Sequence, residues 1–313
     1  MPFVSILIPT HNRSVLLART IESLFLMRVP PGVRVEAVAV ANACTDDTVA
    51  VITALAARAP WPLRVVAEPT PGLGPARNRA CREAAGDIFA LIDDDIAADP
   101  GWLEALVEVY ATTPADLVAG RIDLWWEAVE RPSWLTPGMA KLLSCLDLGP
   151  SVLEMRVPDA VGANFSFRRD VFDAVGPFRN DLDRVGNQLM GGGETFLVRA
   201  AMAAGHRLFY APGVYVRHWV APHRVGVPYL AGVSGANAYI LQIIKQRYTL
   251  VDFARAIILG VARAIGHALL RPVAAALGAE HIAINSSVRH AIGIGQVRGA
   301  LARLSRGPLK PHR

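Results

Sequence analysis

The stretch Ile88-Phe89-Ala90-Leu91-Ile92-Asp93-Asp94-Asp95 decides how the rest of the chain is read. Five apolar residues led in by Gly86-Asp87 have the length and character of a strand buried on both faces of an α/β sheet. Ligands of open α/β sheets bind just beyond the carboxyl ends of the strands, which is where the three aspartates fall. Three neighbouring carboxylates repel one another unless a cation joins them, and a hard divalent ion suits oxygen ligands best. The competing reading is an acidic turn that caps the next helix. Asp99 fills that role separately, because Asp99-Pro100 reads as an N-cap followed by proline in the first helical position, opening a helix over 101–110. Asp93 to Asp95 then point to a metal site.

Working outward, the first hundred residues alternate strand and helix. The pattern predicts strands at 3–8, 34–40, 63–67 and 88–92, with helices over 14–25, 46–58 and 76–85 between them. Thr45 reads as the N-cap of the second helix, with Asp46 and Asp47 in its first turn against the positive end of the dipole. The βαβαβαβ order argues a mostly parallel sheet wound in the nucleotide-binding manner. Loops after successive strands of such a sheet converge on one edge, so Thr10, Asn42, Arg77 and Asp93 are expected to be neighbours. Residues 120–224 are less regular. There, Gly191-Gly192-Gly193-Glu194 reads either as backbone kept bare for a ligand, with one carboxylate at a helix start, or as an ordinary acidic helix N-terminus. A helix over 195–204, a strand over 207–210, a Pro212-Gly213 turn and a strand over 214–219 complete this part.

The 313 residues are 52% hydrophobic, enough for a sizeable core. The first strand begins almost at residue 1, so no secretory signal is expected. Cys44, Cys81 and Cys145 are odd in number, widely spaced and form no CxxC pair, which suggests a reducing compartment and neither a zinc site nor a disulfide scaffold. The net charge of +5 is uneven: residues 245–313 hold eleven Lys or Arg against Asp252 and Glu280, leaving the other 244 residues with 21 basic and 25 acidic side chains. The basic character therefore belongs to the tail. With no zinc-finger spacing, no aromatic-basic RNA signature and no internal repeat, a nucleic-acid partner is not expected.

Seven short segments stand in a fixed order: Val4-Ser5-Ile6-Leu7-Ile8-Pro9-Thr10-His11-Asn12-Arg13, Asn42 to Thr48, Gly74-Pro75-Ala76-Arg77-Asn78, Ile92-Asp93-Asp94-Asp95 with Pro100-Gly101-Trp102-Leu103, Gly162 to Arg169, Gly193-Glu194-Thr195 and Val216-Arg217-His218. In that order and spacing they resemble family 2 (GT-A type) glycosyltransferases, over residues 3 to about 224. The resemblance implies a mostly parallel nucleotide-binding sheet flanked by helices. On this reading residues 1–120 bind the nucleotide sugar and 121–224 bind the acceptor and complete catalysis, with a basic, helical extension over 225–313. It implies a nucleotide-sugar donor, a saccharide or lipid-linked acceptor hydroxyl, Mg²⁺ or Mn²⁺, and inversion at the anomeric carbon, in cell-surface polysaccharide or glycolipid synthesis. Asp93 and Asp95 match the metal-binding acidic pair, with Asp95 the direct ligand, Asp93 toward the ribose or a metal-bound water, and Asp94 counted with the donor-binding residues. His218 matches a histidine that completes the metal site in many relatives; otherwise it is a strand histidine with a satisfied hydrogen bond. Pro9, Thr10 and Asn12 match the loop around the nucleoside, and Arg77 the basic residue reaching the base or diphosphate, where a planar donor fork suits phosphate. Glu194 matches the base that takes the acceptor proton, one methylene longer than the usual Asp. Ala41 stands where relatives commonly carry Asp on the uracil or ribose edge. Asn42 is one substitute, and the base stays open among uracil, thymine and guanine. Two other functions stay in view: a nucleotidyltransferase, whose Gly/Arg/Lys-rich phosphate loop is not matched by Pro9 to Arg13, and an inactive nucleotide-sugar-binding or scaffold protein.

The tail has two readings. Residues 225–244 are uncharged, yet their Gly, Pro, Ser, Asn and Gln content makes a poor membrane-spanning helix. Over 251–271 the pattern is helical, with Pro272 expected to end it. Arg255, Arg263, His267 and Arg271 fall within roughly 160° of arc, with the large apolar residues mostly outside it. Such a helix suits a membrane interface, on the inner face of the cytoplasmic membrane for a cytoplasmic enzyme. The alternative is a helix packed on the catalytic domain or forming a homodimer seam.

Overall fold

The structure, a computed structural model, describes residues 1–186, 188–245 and 247–306. Lys310 and Arg313, part of the basic surplus of the tail, lie outside the described residues. The first half follows the expected alternation: β1 (Phe3–Thr10), α1 (Ser14–Phe25), β2 (Arg34–Asn42), α2 (Thr48–Ala56), β3 (Leu63–Glu68), α3 (Leu73–Glu83) and β4 (Ile88–Ile92). These four strands pair parallel in the order β3-β2-β1-β4. Apolar side chains on both faces, such as Val4, Ile6, Leu7 and Ile8 in β1, are fully buried, as a sheet covered by helices on each side requires.

Beyond β4 the sheet is mixed. β5 (Ile96–Ala98), α4 (Trp102–Thr112), β6 (Leu117–Trp125), α5 (Pro137–Ala140), β7 (Leu153–Met155), β8 (Asn164–Arg168), α6 (Arg169–Val175), α7 (Gly193–Ala203) and β9 (Leu208–Trp219) follow. β8 lies antiparallel between β4 and β6; β6 and β9 are parallel, and β5 and β7 run antiparallel to β9. The expected turn at Pro212-Gly213 is no break: β9 runs through it, and the extra residues are absorbed by a register shift opposite Gly120 and Arg121. Asn164 locks that irregularity. Its amide donates to Arg121 O at 3.0 Å and Val214 O at 2.7 Å, and its Oδ1 accepts from Trp102 Nε1 at 2.9 Å. A Cβ at Gly120 would lie 2.1 Å from the Asn164 amide nitrogen, so position 120 must be glycine.

Two local expectations are corrected. The second helix begins at Thr48 with Asp47, not Thr45, at its N-cap; Asp46 Oδ1 accepts from Thr48 N at 3.1 Å, while the Thr45 hydroxyl and N–H are both engaged by Asn12. Pro272 does not end its helix. It removes one N–H at a position where the Ala268 residue it frees is exposed and can be solvated, so the helix continues to Ala276.

The tail forms three helices, α8 (Val227–Ile243), α9 (Leu250–Ala276) and α10 (Glu280–Arg306), with α10 packed against both others. Glycines set the crossings: a Cβ on Gly295 would lie 2.1 Å from Gly235 O, and one on Gly293 2.5 Å from Gly260 O. α8 and α10 are fixed to the catalytic region by Leu230, Ile284 and Val288, which bury with Leu135, Met139, Leu143 and Val220. A Gly295→Ala change should therefore lower the unfolding midpoint, by about 1–3 kcal/mol of overpacking. Gly266 has open space where its Cβ would stand. There, Gly→Ala should raise stability by about 1 kcal/mol. Thermal or denaturant melts of both variants check the pair.

Candidate functional site

The three aspartates at the end of β4 point three ways. Asp94 is turned inward, accepting from Thr10 Oγ1 at 2.6 Å and Arg13 Nη1 at 2.9 Å. It is a buried brace for the β1 loop, engaged by Thr10 and Arg13. Asp95 is buried too. Its Oδ2 accepts from Arg13 Nη1 at 2.7 Å and Arg224 Nη2 at 3.4 Å, while its Oδ1 has no hydrogen-bond partner. Asp93 is partly exposed, on the wall of a cavity.

His218 reaches this point from β9, paired in register with Ile96 of β5, and Trp219 N donates to Asp95 O at 2.8 Å. Its Nε2 lies 3.2 Å from Asp95 Oδ1 and 3.9 Å from Asp93 Oδ2. One ligand atom from each of Asp93, Asp95 and His218 falls within 4.8 Å of the others. Burial works to raise the Asp95 pKa, but the neighbouring His218, Arg224 and Arg13 outweigh it and hold the carboxyl well below its ordinary value. Two carboxylate oxygens and an imidazole nitrogen converging on one point, with Asp95 buried and held ionised, fit a hard divalent cation. The histidine is the softest of the three ligands.

The second cluster is built on Arg77, from α3. Its guanidinium is buried, with Nη1 2.8 Å from Glu194 Oε2 and 3.4 Å from Asp183 Oδ2. Arg77 therefore holds the base candidate and Asp183, instead of standing free for a nucleobase or diphosphate. Burial opposes charge on Glu194, but the adjacent Arg77 outweighs it and keeps the carboxyl below its ordinary pKa. Burial raises the pKa of Asp183 in spite of the same arginine. The glycines around this cluster make room for protein side chains. A Cβ on Gly162 would fall 2.1 Å from Arg77 Nη2, one on Gly193 2.2 Å from Asp183 Oδ2, and one on Gly192 2.5 Å from Ile240 Cγ2. The Gly191–Gly193 run, read as bare backbone for a ligand, is at two of its positions space for Ile240 and Asp183.

The nucleoside-loop residues are placed as follows. Pro9 and Thr10 end β1. Asn12, at φ 51°, accepts from Thr45 N at 2.7 Å and donates to Thr45 Oγ1 at 3.2 Å, tying the loops after β1 and β2 together. Asn42 donates both amide protons, to Glu68 O at 3.2 Å and Thr70 O at 2.7 Å, and accepts from Gly72 N at 2.9 Å. In this arrangement Asn42 has no amide proton left for a base. Sequence reasoning gave no role to Arg13, Asp183 or Arg224; their partners lie 81 to 129 residues away for the two arginines, and no local pattern marks such pairs.

A cavity of about 490 Å³ joins the two clusters, lined by Asp93 and His218 on one side and Arg77 and Glu194 on the other. Lys141, Arg184, Arg199 and Arg224 also line it, so it combines a carboxylate pair with several cations. That composition suits an anionic ligand together with a metal ion.

Comparison with known proteins gives the same direction. A sequence of this chain's kind occurs in a glucosyl-dolichyl phosphate glucuronosyltransferase of Haloferax volcanii, 28% identical over 179 residues, covering 56% of this chain and 57% of that protein. The match thus spans little more than half of that relative's length. The succinoglycan biosynthesis protein ExoM of Rhizobium meliloti is 26% identical over 216 residues, covering 69% of this chain and 66% of that one. In fold, the chain is similar to the mannosyltransferase PcManGT from Pyrobaculum calidifontis, solved with GDP-Man and Mn²⁺, at a TM-score of 0.58, 20% identity, and coverage of 98% of this chain and 76% of that one. S. aureus TarS residues 1–349, solved with UDP, gives a TM-score of 0.55 at 14% identity, covering 98% and 92%. These two are GT-A glycosyltransferase folds, with the mixed sheet, flanking helices and C-terminal helical region found here. The model of the family described as glycosyl transferase family 2 matches residues 5–176, more than half of the sequence, and the chain belongs to that family.

Proposed function

We propose that the chain is a metal-dependent, inverting glycosyltransferase that moves a sugar from a nucleotide-sugar donor to an acceptor hydroxyl, in cell-surface polysaccharide or glycolipid synthesis. The observation that carries this reading is the single cavity walled by the Asp93 and His218 pair on one side and by Glu194 on the other. Asp93, Asp95 and His218 would hold Mg²⁺ or Mn²⁺. When bound, the ion supplies Lewis-acid stabilisation of the departing nucleoside diphosphate. Glu194, kept ionised by Arg77, takes the acceptor proton at a carboxylate oxygen as the acceptor oxygen bonds to the anomeric carbon and the bond to diphosphate breaks. Arg77 is a positioning residue: it fixes the base and keeps it charged. Lys141, Arg184, Arg199 and Arg224 favour the anionic donor in the cavity. The solved neighbours hold GDP-Man or UDP, and one relative is named for a dolichyl phosphate sugar, which supports a nucleotide-sugar donor and a saccharide or lipid-linked acceptor. Ala41 is buried in β2 and brings no hydrogen-bonding side chain to the base, so a uracil preference has no support from that position.

A membrane surface is a second element of the proposal. α9 has the length and apolarity of a membrane-crossing helix, and only 11% of its most apolar window is buried. Of its cationic residues, Arg263 is paired with Gln296 and His267 and Arg271 line a groove against α10, while Arg255 is exposed beside the apolar residues. Val251, Ile258, Val261, Ile265, Leu269 and Val273 form an exposed stripe on the other side. Arginines spaced along its whole length favour a helix lying at the interface over one crossing it. On this reading the enzyme works at a membrane surface, with α9 as the contact.

Asp95→Ala should nearly abolish turnover and remove the Mn²⁺-dependent part of nucleoside diphosphate affinity, measured by calorimetry with and without metal. Full activity in excess chelator would sink the metal assignment. Glu194→Gln should lower kcat on the order of 10²–10⁴-fold with donor affinity near wild type. Release of nucleoside diphosphate across a donor panel reads this out, and an unchanged kcat would place the base elsewhere. On the membrane, the full-length protein should sediment with anionic liposomes and be loosened by salt, each basic residue near the surface contributing about 1 kcal/mol. An Ile258→Glu, Leu269→Glu double variant should stay in the supernatant; equal sedimentation of the two proteins would remove α9 as the contact.

A further inference from the structure

A second, larger cavity of about 1540 Å³ lies outside the reaction centre, between α8, α9 and α10. It exceeds the roughly 300–1,000 Å³ usual for small-molecule pockets. Small and apolar residues make most of its walls, among them Gly232 and Ala236 from α8, Ala268 and Ala275 from α9, and Ala283 and Ile284 from α10. Its polar lining leans basic, with Arg271 and Arg298 against Glu280, beside His267 and His290. The Nδ1 of His267 is buried there without a hydrogen-bond partner. An apolar trough with cations along it fits an amphiphile that carries a long hydrocarbon chain and an anionic group.

The groove also abuts the catalytic cavity. α8 separates the two, giving Gly232, Ala236 and Tyr239 to the groove and Val233, Asn237 and Leu241 to the cavity. Leu189 lines both, and it packs where a Cβ on Gly232 would come within 2.5 Å of its Cδ1. A molecule lying in the groove can therefore end, past Leu189, beside Glu194. An ordinary phospholipid seated there would have no reacting group to deliver; a sugar carried on a lipid phosphate would.

We infer that the groove between α8, α9 and α10 binds the isoprenoid chain and phosphate of a polyprenyl-phosphate-linked acceptor and presents its sugar hydroxyl to the catalytic cavity past Leu189. The inference rests on the glycosyltransferase reading for its last clause, while the binding site itself is tested without turnover. Arg271 of α9 and Arg298 of α10, at different levels along the groove, make it attractive to the phosphate, the alanine and glycine walls hold the chain, and the exposed stripe of α9 keeps the mouth of the groove at the membrane from which the lipid is drawn.

The test uses the full-length protein in neutral detergent, with farnesyl phosphate as the probe and calorimetry as the readout. Ala268→Trp and Ala275→Trp, both from exposed positions on the groove wall, should weaken binding on the order of tenfold or more by filling the trough. Ala262→Trp, exposed on the opposite side of α9, should not. Arg271→Ala with Arg298→Ala should reduce farnesyl phosphate to the affinity of farnesol. Should the tryptophan variants fail to fold, this arginine pair, both members exposed, carries the test alone. Wild-type affinity in folded Ala268→Trp and Ala275→Trp proteins, or in the arginine double variant, overturns the site, as does displacement by phosphatidylglycerol at equal concentration. GDP and UDP binding with Mn²⁺, measured on the same wild-type protein, scores the enzyme reading separately.

Discussion

The guanidinium of Arg13 stands between Asp94 and Asp95, at 2.9 and 2.7 Å, and the geometry of the site depends on it. Two adjacent buried carboxylates at the end of an apolar strand repel strongly in a medium of low dielectric, and removing the shared cation would leave both uncompensated. With Arg13 in place, Asp94 is drawn inward to Thr10, and Asp95 is anchored through Oδ2 while Oδ1 faces His218 and Asp93. The alternation of side chains after β4 then leaves Asp93 to the cavity. One arginine thus turns an acidic run into two inward anchors and one open pair of ligand oxygens.

That arrangement is completed from the far side of the sheet. His218 can meet Asp95 because β5 pairs with β9 and because β9 accommodates its extra residues opposite Gly120. Asn164 fixes that irregularity, so the segment Gly162 to Arg169 contributes to the site through register as well as through Gly162 and Ala163 on the cavity wall. The position of an imidazole is here a consequence of how two strands absorb a mismatch in length.

What the sequence revealed follows from how local each signal is. The parallel block β3-β2-β1-β4 was readable because each strand is an apolar run bounded by turn residues, and the loops at its carboxyl edge follow from winding alone. The Asp93, Asp95 and His218 grouping was reached through resemblance, and the fold brings the three within 4.8 Å. Arg13, Asp183 and Arg224 were not readable, since an arginine in a sequence does not say which distant carboxylate it will meet. The glycines before Glu194 left two readings open for a related reason. A glycine announces that a Cβ is missing, not whose atoms need the space, and at 162, 192 and 193 the claimants are Arg77, Ile240 and Asp183. Asn42 shows that a polar side chain at a strand end can serve the loops around it, which its place in the sequence does not distinguish from a ligand contact.

The tail shows the limit of periodicity most clearly. The spacing of Arg255, Arg263, His267 and Arg271 identifies two faces of one helix but not which face meets the protein. In water the apolar face is expected to turn inward. α9 does the opposite, because its contact with α10 is a backbone crossing at Gly260 and Gly293 that has no room for large apolar residues. Only small residues and side chains long enough to leave the crossing fit on that face, and Ala256, Gly260, Ala274, Arg263 and His267 meet one or other requirement. The branched residues are displaced outward, where burial must come from something other than this chain. α8 and α10 meanwhile pack on the sheet domain through their own apolar clusters, so the packed reading of the tail holds for these two helices, while the apolar face of α9 is left exposed. The same glycine crossing that exposes α9 also holds it off α8, and the space left between them is the groove beside the reaction centre.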